Sequence, residues 1–455
     1  MGDKYSRRSG KNDDDPSKRG STHRDRDRIL YSEAFRRLGG VTQVALGTPD
    51  MILHNRLTHS LKVEQVGLSI FSKLDGDEAL DGVADHYAIA AACLAHDLGH
   101  PPFGHAGEQE LHRIVVCDKH LKAPRPSAER ALDPCGDCLL EDGFEGNAQS
   151  FRILTALEVH KEATSTDPLG LDLTFATLRA VSKYPWARGD HPTKKNKWGA
   201  YDCDIQTLRD VVGNDTDQTL SLDAQIMDWA DDISYAVHDI EDFYRTNHIP
   251  LEQYQKESQA LADFLEYAQS EGAAGPAEPE AIVVLNRLLW VFPKSQFSGS
   301  ADDFAELDNA RGTLLTQFIN AATVKAGELA LDPVQKKVNA IVKQFIWYHV
   351  IDGPRLTNIQ TGQRRVLREI FDAMREQAEH AFKVNESGDL NERELRRLPH
   401  ALRRAIEVGM NQRYGYSSKA QKVHRGLLDY IAGLSDADAY HQHAVLKGRE
   451  PMGHL

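Results

Sequence analysis

The sequence has no long apolar run. No stretch of its 455 residues approaches the ~18 apolar residues of a transmembrane helix, and the N-terminus lacks the apolar core of a signal peptide. Cysteine is also scarce, and the five cysteines favour a reducing compartment over a disulfide framework. We therefore expect a cytoplasmic protein without a membrane partner.

Positive charge is in deficit. The formal net charge of −14 disfavours nucleic-acid binding by the surface as a whole, because nucleic acids are themselves anions. An anionic ligand must then be bound by a local group of cations. Residues 1–23 are polar and charged with almost no apolar content, and we expect them to form a disordered tail.

Strand-like alternation is nearly missing as well. Apart from residues 41–46, no convincing period of two is present, whereas apolar residues recur at helical spacing from Ile29 onward. The pattern predicts a mainly α protein. Helices are indicated over residues 145–182, 335–351, 363–380 and 392–408, and a surface loop over residues 269–280.

Residues 95–108 concentrate the titratable side chains, with three histidines, an aspartate and a glutamate. The small apolar residues before them predict a closely packed, buried helix, which the following glycine and two prolines must end. His96 and Asp97 therefore lie at a helix end, where both can reach one ion. A single buried histidine is more often a satisfied core residue than a ligand, but burying this pair without a function would desolvate charge with no gain.

After the turn, a second helix is expected to begin near His105. His105 and Glu108 would then lie three residues apart on one helical face, which is the spacing of a general base and a carboxylate that orients it. The H-x-x-x-H spacing of His96 and His100 also suggests a zinc protease. That interpretation fails, because the motif needs a glutamate where this chain has Asp97.

Two other helices can supply further ligands. The string N-R-L-T-H-S begins an amphipathic helix with His59 near its start. The string D-W-A-D-D-I-S-Y lies in another predicted helix, in which Asp231, Tyr235 and Asp239 recur every four residues and share one face.

His59, the pair His96 and Asp97, and Asp231 form an H…HD…D pattern across the chain. Seven ordered strings contain or flank it, at residues 24–29, 34–38, 42–44, 55–60, 96–108, 144–149 and 230–235, with a weaker echo in D-Y-I-A-G at residues 429–433. Together these strings resemble the dGTPase, or dNTP triphosphohydrolase, family of HD-domain metal-dependent phosphohydrolases.

The resemblance implies an HD-domain helical core with an additional helical C-terminal region. The catalytic domain would span residues 24–245, with a proline-containing insert at residues 111–142. Residues 246–455 would close the substrate pocket and contribute to oligomer contacts. Relatives assemble as tetramers or hexamers, so we expect a homo-oligomer.

The resemblance also implies metal-dependent hydrolysis of deoxynucleoside triphosphates, dGTP or several dNTPs, to a deoxynucleoside and inorganic triphosphate. One divalent ion would have four ligands, namely His59, His96, Asp97 and Asp231. Such a mixed site suits Mn²⁺, Fe²⁺, Co²⁺ or Ni²⁺, and Mg²⁺ with extra waters, and the sequence does not choose among them. His105, oriented by Glu108, would be the general base or acid.

The family pattern extends to the substrate. Lysines in two strings meet the triphosphate, two positions in the 42–44 string lie against the sugar, and an aromatic ring that packs where a 2′-hydroxyl would sit excludes ribonucleotides. The expected substrate contacts are Gln43, Val44, Arg56, His100, Asn147, Lys183, Lys197, Tyr235, Asp239 and Arg425.

Several of these expectations carry alternatives. Tyr235 could simply pack in the core, and the loop that holds Lys183 and Lys197 could be a solvated basic loop. Arg425 belongs to a basic cluster before D-Y-I-A-G, for which a solvated helix face and a phosphate-binding role are equally open. Many members of the family have a histidine where this chain has Gly146, which weakens any transfer of function to that position. Asn147 and Gln149 keep the pattern.

Other classes of function remain open. Another HD-type nucleotide phosphohydrolase, such as a phosphodiesterase or 5′-nucleotidase, would release phosphate or pyrophosphate instead of triphosphate. A non-catalytic nucleotide sensor or DNA-associated protein would retain only the fold, and the intact metal and general-base residues argue against it. A regulatory nucleotide and single-stranded DNA are further candidate partners.

The insert holds a motif that owes nothing to the resemblance. A C-x-x-H pair, Cys117 and His120, is followed by a C-x-x-C pair, Cys135 and Cys138. Two chelating pairs at this separation are typical of a structural Zn²⁺ site, and an ion could replace the core that this polar loop cannot build. Free thiols, a chance C-x-x-C and a redox pair are the alternatives.

Overall fold

The protein is described by a computed structural model. The residues that the structure describes are 4–10, 19–44, 53–75, 83–160, 168–213, 218–254, 258–271, 279–384, 392–412 and 414–449. No helix in these ranges combines the length and apolar character needed to cross a membrane.

The first half of the chain is helical. Its helices are α1 Ser21–Leu30, α2 Glu33–Arg37, α3 Arg56–Leu74, α4 His86–Ala95, α5 Gly104–Val115, α6 Asp118–Lys122, α7 Ser127–Leu132, α8 Gly146–Arg152, α9 Phe175–Val181, α10 Ile205–Val212 and α11 Leu222–Arg245. A 3₁₀ turn at Leu38–Gly40 follows α2, and a π turn at Ile153–Leu157 extends α8.

The second half adds helices and one hairpin. Its elements are α12 Gln259–Ser270, α13 Pro279–Val291, α14 Ala301–Asn320, β1 Ala322–Lys325, β2 Glu328–Leu331, α15 Pro333–Ile346, α16 Pro354–Ala381, α17 Glu392–Leu395, α18 His400–Asn411, α19 Lys419–Ala432 and α20 Asp436–Leu446. A 3₁₀ turn at Leu251–Gln253 precedes α12, and a π turn at Trp347–Ile351 extends α15.

A first hydrophobic core forms where α3, α4 and α11 pack against one another and against α14 and α15. Residues 88–95 of α4 are fully buried, as their small apolar side chains predict. α3 approaches α4 closely at Gly67, because a Cβ there would lie 2.7 Å from Sγ of Cys93. The helix that leads to His96 is therefore held rigidly on three sides.

A second hydrophobic core forms around α5 and α16. α5 packs against α16, and α16 packs against α19 and α20. Both cores combine residues from before and after Arg245. The expected catalytic domain and C-terminal region thus share their interiors.

The mainly α class is confirmed. Within the described residues, the only paired strands are β1 and β2, which form an antiparallel hairpin. Their turn places Ala326 and Gly327 in the left-handed region, at φ 53° and 80°, as a two-residue hairpin turn requires. The alternation at residues 41–46 gives a single bridge, Thr42 to Asn55, and residues 45 and 46 lie outside the described ranges.

Several predicted helices are found, but two are broken. α15 with its π turn and α16 match the helices expected over residues 335–351 and 363–380. The helix expected over residues 392–408 is divided into α17 and α18, because Pro399 lacks an N–H and disfavours helical backbone in the residue before it. The helix expected over residues 145–182 is likewise interrupted after Leu157.

The loop expected over residues 269–280 is flanked as predicted, since α12 ends at Ser270 and α13 begins at Pro279. Residues 272–278 lie outside the described ranges.

The N-terminal tail is not wholly disordered, contrary to the expectation. Residues 4–10 pack on the protein, and Nη1 of the buried Arg7 lies 2.6 Å from Oδ1 of the buried Asp25. The other oxygen of Asp25 accepts hydrogen bonds from the backbone and hydroxyl of Thr174. Backbone N–H groups of Phe175 and Ala176 also donate to the carbonyls of Ser6 and Lys4, so polar contacts hold a segment that contributes few apolar side chains.

Candidate active site

The end of α4 presents His96 and Asp97, as predicted. Nδ1 of His96 donates to the carbonyl of Cys93 at 2.7 Å, which fixes the ring and directs Nε2 away from the helix. Nε2 is buried and has no hydrogen-bond partner among the described residues. A buried polar atom without a partner is costly, so this ring nitrogen is poised to bind a ligand.

Nε2 of His96 faces side chains from two other helices. It lies 3.5 Å from Oδ1 of Asp231 on α11, and the same oxygen lies 3.2 Å from Nε2 of His59 on α3. The candidate ligand atoms of these three residues lie within 4.8 Å of one another. The structure thus brings together side chains from three helices that are far apart in the sequence.

Asp97, the fourth predicted ligand, lies at the edge of this group. Its Oδ1 is 3.6 Å from Nε2 of His96 and 3.0 Å from Nδ1 of His100, and its Oδ2 pairs with Nη1 of Arg56. Burial alone would raise the pKa of Asp97, but the charges of Arg56 and His100 outweigh it and hold this pKa well below its usual range. Asp97 is therefore a carboxylate that Arg56 and His100 hold in place.

Asp231 is ionised for a similar reason. Burial would raise its pKa, but the charge of Lys183 and then that of His96 lower this pKa well below its usual range. Nζ of Lys183 lies 3.3 Å from Oδ2 of Asp231 and 2.5 Å from Oδ1 of Asp228.

These donors fit a divalent cation. Two imidazoles and two carboxylates, of Asp97 and Asp231, offer nitrogen and oxygen ligands of the kind that Mn²⁺, Fe²⁺, Co²⁺ and Ni²⁺ accept. The unpartnered Nε2 of His96 supports this fit, because a hydrogen-bond network built only for packing would satisfy it.

His105 and Glu108 form a second group beside the first. Phe103 and Gly104 both adopt left-handed backbone, at φ 66° and 56°, which turns the chain sharply into α5. Nδ1 of His105 lies 3.0 Å from Oε2 of Glu108, one turn later. The side chain of His105 is 66% exposed while that of Glu108 is 11% exposed, so the imidazole projects into solvent from a buried carboxylate.

Glu108 is held on its other oxygen as well. The backbone N–H of Gly146 donates to Oε1 at 3.2 Å, and Nζ of Lys197 lies 3.8 Å from the same atom. Burial would raise the pKa of Glu108, but the hydrogen bond from His105 and the charge of Lys197 lower it strongly. Glu108 is therefore an ionised carboxylate that accepts a hydrogen bond from the Nδ1–H of His105.

A cavity of about 530 Å³ opens over both groups. The metal-ligand candidates His96, Asp97 and Asp231 line it with His105 and Glu108, and His59 lies buried behind them. Among the expected substrate contacts, the lining includes Gln43, Val44, Arg56, His100, Asn147, Lys183, Lys197 and Tyr235.

Two expected contacts are elsewhere. Asp239 is 2% exposed and does not line the cavity, and its burial raises its pKa well above the usual range. Arg425 is fully buried in the fold, where it pairs with Asp142 at 3.1 Å and stacks on the ring of Tyr201. Arg425 therefore stabilises the packing of α19 instead of reaching into the cavity.

The basic cluster before D-Y-I-A-G also contains Lys419, Lys422 and His424, and its two lysines contact the rest of the fold. Nζ of Lys419 donates to the carbonyl of Lys383, and Nζ of Lys422 donates to that of Met410. This helix face therefore packs against neighbouring segments. The sequence leaves open a solvated face or a phosphate-binding role, and the packing differs from both.

Sequence reasoning missed the residues that the C-terminal region adds to the cavity. Lys343 on α15 lies 5.8 Å from the centre of the Tyr235 ring and pairs with Asp232. Gln360 and Arg364 on α16 line the same wall. The helices that carry them were predicted, but no motif marks which face of each helix turns toward the cavity.

The HD-domain family model matches residues 56–137 of the chain. Over most of its length the chain is 34% identical to the deoxyguanosinetriphosphate triphosphohydrolase-like protein of Streptomyces coelicolor, with 93% of this chain and 92% of that protein covered. Proteins of the same name from Corynebacterium efficiens and Shewanella sediminis are 34% and 28% identical, over 77% and 92% of this chain and 78% and 90% of their own lengths.

The chain belongs to this family. It is accordingly an enzyme, a phosphohydrolase of the dGTPase family, and its HD domain implies a divalent metal. The HD match contains His59, His96 and Asp97 together with His105 and Glu108, whereas Asp231 lies beyond it on α11. In this dGTPase-family enzyme, the candidate metal-ligand group thus includes a side chain from a helix outside the matched segment.

Proposed function

We propose that the enzyme hydrolyses deoxynucleoside triphosphates, dGTP or several dNTPs, to a deoxynucleoside and inorganic triphosphate with the help of one divalent metal ion. The names of its relatives point to dGTP. The observation that carries the proposal is that one cavity joins two groups, the metal-ligand candidates around His96 and the His105–Glu108 pair.

Charge in the cavity suits a triphosphate. A dNTP carries about four negative charges, which must be neutralised before water can attack phosphorus. Lys183 and Lys197 line the cavity beside the two groups, and Arg56 and Lys343 add two further cations. The lining also holds four carboxylates, Asp97, Glu108, Asp231 and Asp232, which the cations offset, so the bound metal ion would supply the further positive charge that attracts an anionic substrate.

His59, His96, Asp97 and Asp231 would hold the metal ion. When bound, the ion supplies Lewis-acid polarisation of a phosphoryl oxygen. Arg56 keeps Asp97 in place and Lys183 does the same for Asp231, so that both carboxylates remain ionised and oriented toward His96.

His105 would move the proton. Because Nδ1 is engaged by Glu108, Nε2 is the atom that can act on the substrate. Release of triphosphate requires a bond from water oxygen to the α-phosphorus and cleavage of the bond between that phosphorus and O5′. Nε2 would take the proton of the water or give one to O5′, and Glu108 would stabilise the imidazolium in either case.

Tyr235, Gln43 and Val44 would hold the sugar. Tyr235 is on the same face of α11 as Asp231, and its ring lines the cavity. A ring packed against C2′ leaves no room and no partner for a 2′-hydroxyl, which would favour dNTPs over NTPs.

Product analysis tests the proposal. The purified enzyme is incubated with each dNTP and separately with Mn²⁺, Mg²⁺, Co²⁺, Fe²⁺ or Ni²⁺, and the products are resolved by anion-exchange chromatography and phosphorus NMR. We expect deoxynucleoside and triphosphate in equal amounts. Monophosphate with pyrophosphate, or free phosphate alone, would identify another HD-type hydrolase, and the absence of turnover with every metal would contradict the proposal.

A further inference from the structure

A second group of metal-binding side chains lies outside the cavity. The candidate ligand atoms of Cys117, His120, Cys135 and Cys138 lie within 4.8 Å of one another. Sγ of Cys117 is 3.4 Å from Nδ1 of His120 and 3.9 Å from Sγ of Cys135, and Sγ of Cys138 is 3.5 Å from the same imidazole nitrogen. Two short sequence pairs thus meet at one point.

These distances are those of a tetrahedral zinc site. With Zn–S bonds of about 2.3 Å and a Zn–N bond of about 2.0–2.1 Å, tetrahedral ligands are separated by about 3.8 Å between two sulfurs and about 3.5 Å between sulfur and nitrogen. The Cys117–Cys135 and both sulfur–nitrogen separations agree with these values to within about 0.2 Å.

The segment has no apolar interior of its own. Between residues 117 and 138 the buried side chains are those of His120 and Arg130, both of them polar. α6 and α7 are single short turns of helix, which do not persist without tertiary support. An ion bound by four side chains would supply the support that a hydrophobic core supplies elsewhere.

Neighbouring groups hold the four ligands in place. The N–H of Cys117 donates to Sγ of Cys138 at 3.3 Å, and Nη2 of Arg188 donates to the carbonyl of His120 at 2.7 Å. The N–H of Cys135 donates to Glu141, whose carboxylate is in turn paired with Arg125. Such outer partners are characteristic of metal sites, because they orient each ligand.

A disulfide explains the group less well. The sulfurs of Cys117 and Cys135 are 3.9 Å apart, far beyond the ~2.05 Å of a disulfide bond, and all five cysteines are free. A disulfide would also leave the buried imidazole of His120 and the third thiol without a role. Four soft donors at tetrahedral spacing favour Zn²⁺ over the harder ion of the HD site.

We propose that Cys117, His120, Cys135 and Cys138 bind one structural Zn²⁺ ion, distinct from the metal of the HD site. The ion clamps the segment that joins the end of α5 to the chain before α8. Just after this segment, the N–H of Leu140 donates to the carbonyl of Val115 at 3.0 Å, and the N–H of Gly146 donates to Glu108. The ion would therefore brace the wall on which Glu108 lies.

Metal analysis of four proteins tests the proposal. Wild type, Cys135→Ser/Cys138→Ser, His96→Ala/Asp97→Ala and Cys203→Ser are purified without added metal, and their zinc is measured by mass spectrometry. Cys203→Ser is the matched control, since it removes a thiol outside the group and keeps an acceptor for Arg152. We expect one zinc per chain in every protein except the double-cysteine variant.

Zinc in that variant at the wild-type level would overturn the proposal. Its loss in His96→Ala/Asp97→Ala but not in the cysteine variant would show that zinc binds only at the HD site. The structural-zinc proposal and the metal assignment of the HD site can therefore be rejected independently of each other.

A measurement on the wild type covers the case in which the cysteine variant does not fold. A mercurial reagent is titrated into the native enzyme while released zinc is followed with a chromogenic chelator. We expect one zinc released as the thiols react, and Co²⁺ substitution to give the intense absorption of tetrahedral thiolate coordination. Reaction of the thiols without release of zinc, or a Cys135–Cys138 disulfide in the peptide mass map, would contradict the proposal.

Discussion

Nδ1 of His105 lies 3.0 Å from Oε2 of Glu108, and the other oxygen of that carboxylate accepts a hydrogen bond from the backbone of Gly146. Glu108 is thus fixed on both sides, and it fixes the tautomer and the direction of an exposed imidazole. This arrangement favours proton transfer over substrate binding as the role of His105, because the ring is oriented by the protein and not by a ligand.

We expect His105→Ala to lower kcat by roughly 10²-fold or more with little change in substrate affinity. Glu108→Gln should retain more activity than His105→Ala, because the imidazole would still be present but less well oriented. Steady-state kinetics give kcat, and dNTP binding in the presence of Ca²⁺ gives affinity. Arg113→Ala, an exposed position on the same helix that does not line the cavity, is the control. An unchanged kcat with weakened binding would make His105 a phosphate contact.

Replacing His96 and Asp97 at the end of α4 should remove the metal ion of the HD site. His96→Ala/Asp97→Ala removes two of the four proposed ligands and leaves only His59 and Asp231, which contact each other at 3.2 Å, so both the divalent ion of the HD site and turnover should be lost. His86→Ala, which removes an imidazole from the other end of the same helix, should keep both. Elemental analysis after metal loading checks this, and full activity in the double variant with metal still bound would reject the ligand assignment.

The side-chain placements that agree with the sequence expectations follow from local chemistry or from a motif. Gly99 and the two prolines after it had to end α4, and that placed His96 and Asp97 at its exit. Three-residue spacing placed His105 over Glu108. The union of His59 and Asp231 with His96 could be predicted only through the family pattern, since the helices that carry them are far apart in sequence.

The parts that were missed depend on packing between distant segments. Arg425 follows a basic pattern that suits a phosphate site, yet it is fully buried against Asp142 and Tyr201. Arg7 lies in a polar tail, yet it pairs with Asp25 inside the protein. In both cases a long-range ion pair decides where the cation lies, and no local pattern specifies the partner of a charge. Lys343 lies at the cavity through a long-range ion pair of the same kind, with Asp232.

Tyr235 should discriminate between sugars. Its ring lines the cavity on the face of α11 that carries Asp231. Tyr235→Ala removes the surface that would exclude a 2′-hydroxyl, and we expect the ratio of kcat/KM for dGTP to that for GTP to fall by about 10-fold or more, which corresponds to ~1.4 kcal/mol or more of discrimination. Tyr235→Phe, which keeps the ring, should retain the ratio. An unchanged ratio in Tyr235→Ala would assign sugar selection to another residue.

Asp223 in the first turn of α11 predicts how stability depends on pH. Burial is the largest influence on this carboxyl and raises its pKa to about 7, although the backbone N–H of Asp85 donates to Oδ1 at 3.0 Å and partly opposes the shift. The folded protein therefore binds this proton more tightly than the unfolded chain does. The contribution of Asp223 to the free energy of unfolding is greatest at low pH, falls as the pH rises from about 4 to about 7, and is constant above that.

Asp223→Asn removes this titration while retaining an oxygen that can accept the hydrogen bond from Asp85. We expect the variant to match wild type near pH 4 and to be more stable at pH 8, by up to about 4 kcal/mol, because each pKa unit corresponds to about 1.36 kcal/mol. Part of this gain is offset by the loss of a negative charge at a helix N-terminus, where it is favourable. Thermal unfolding of both proteins at one scan rate across pH 4–8 measures the difference. A stability difference that does not grow with pH would show that folding does not raise the pKa of Asp223.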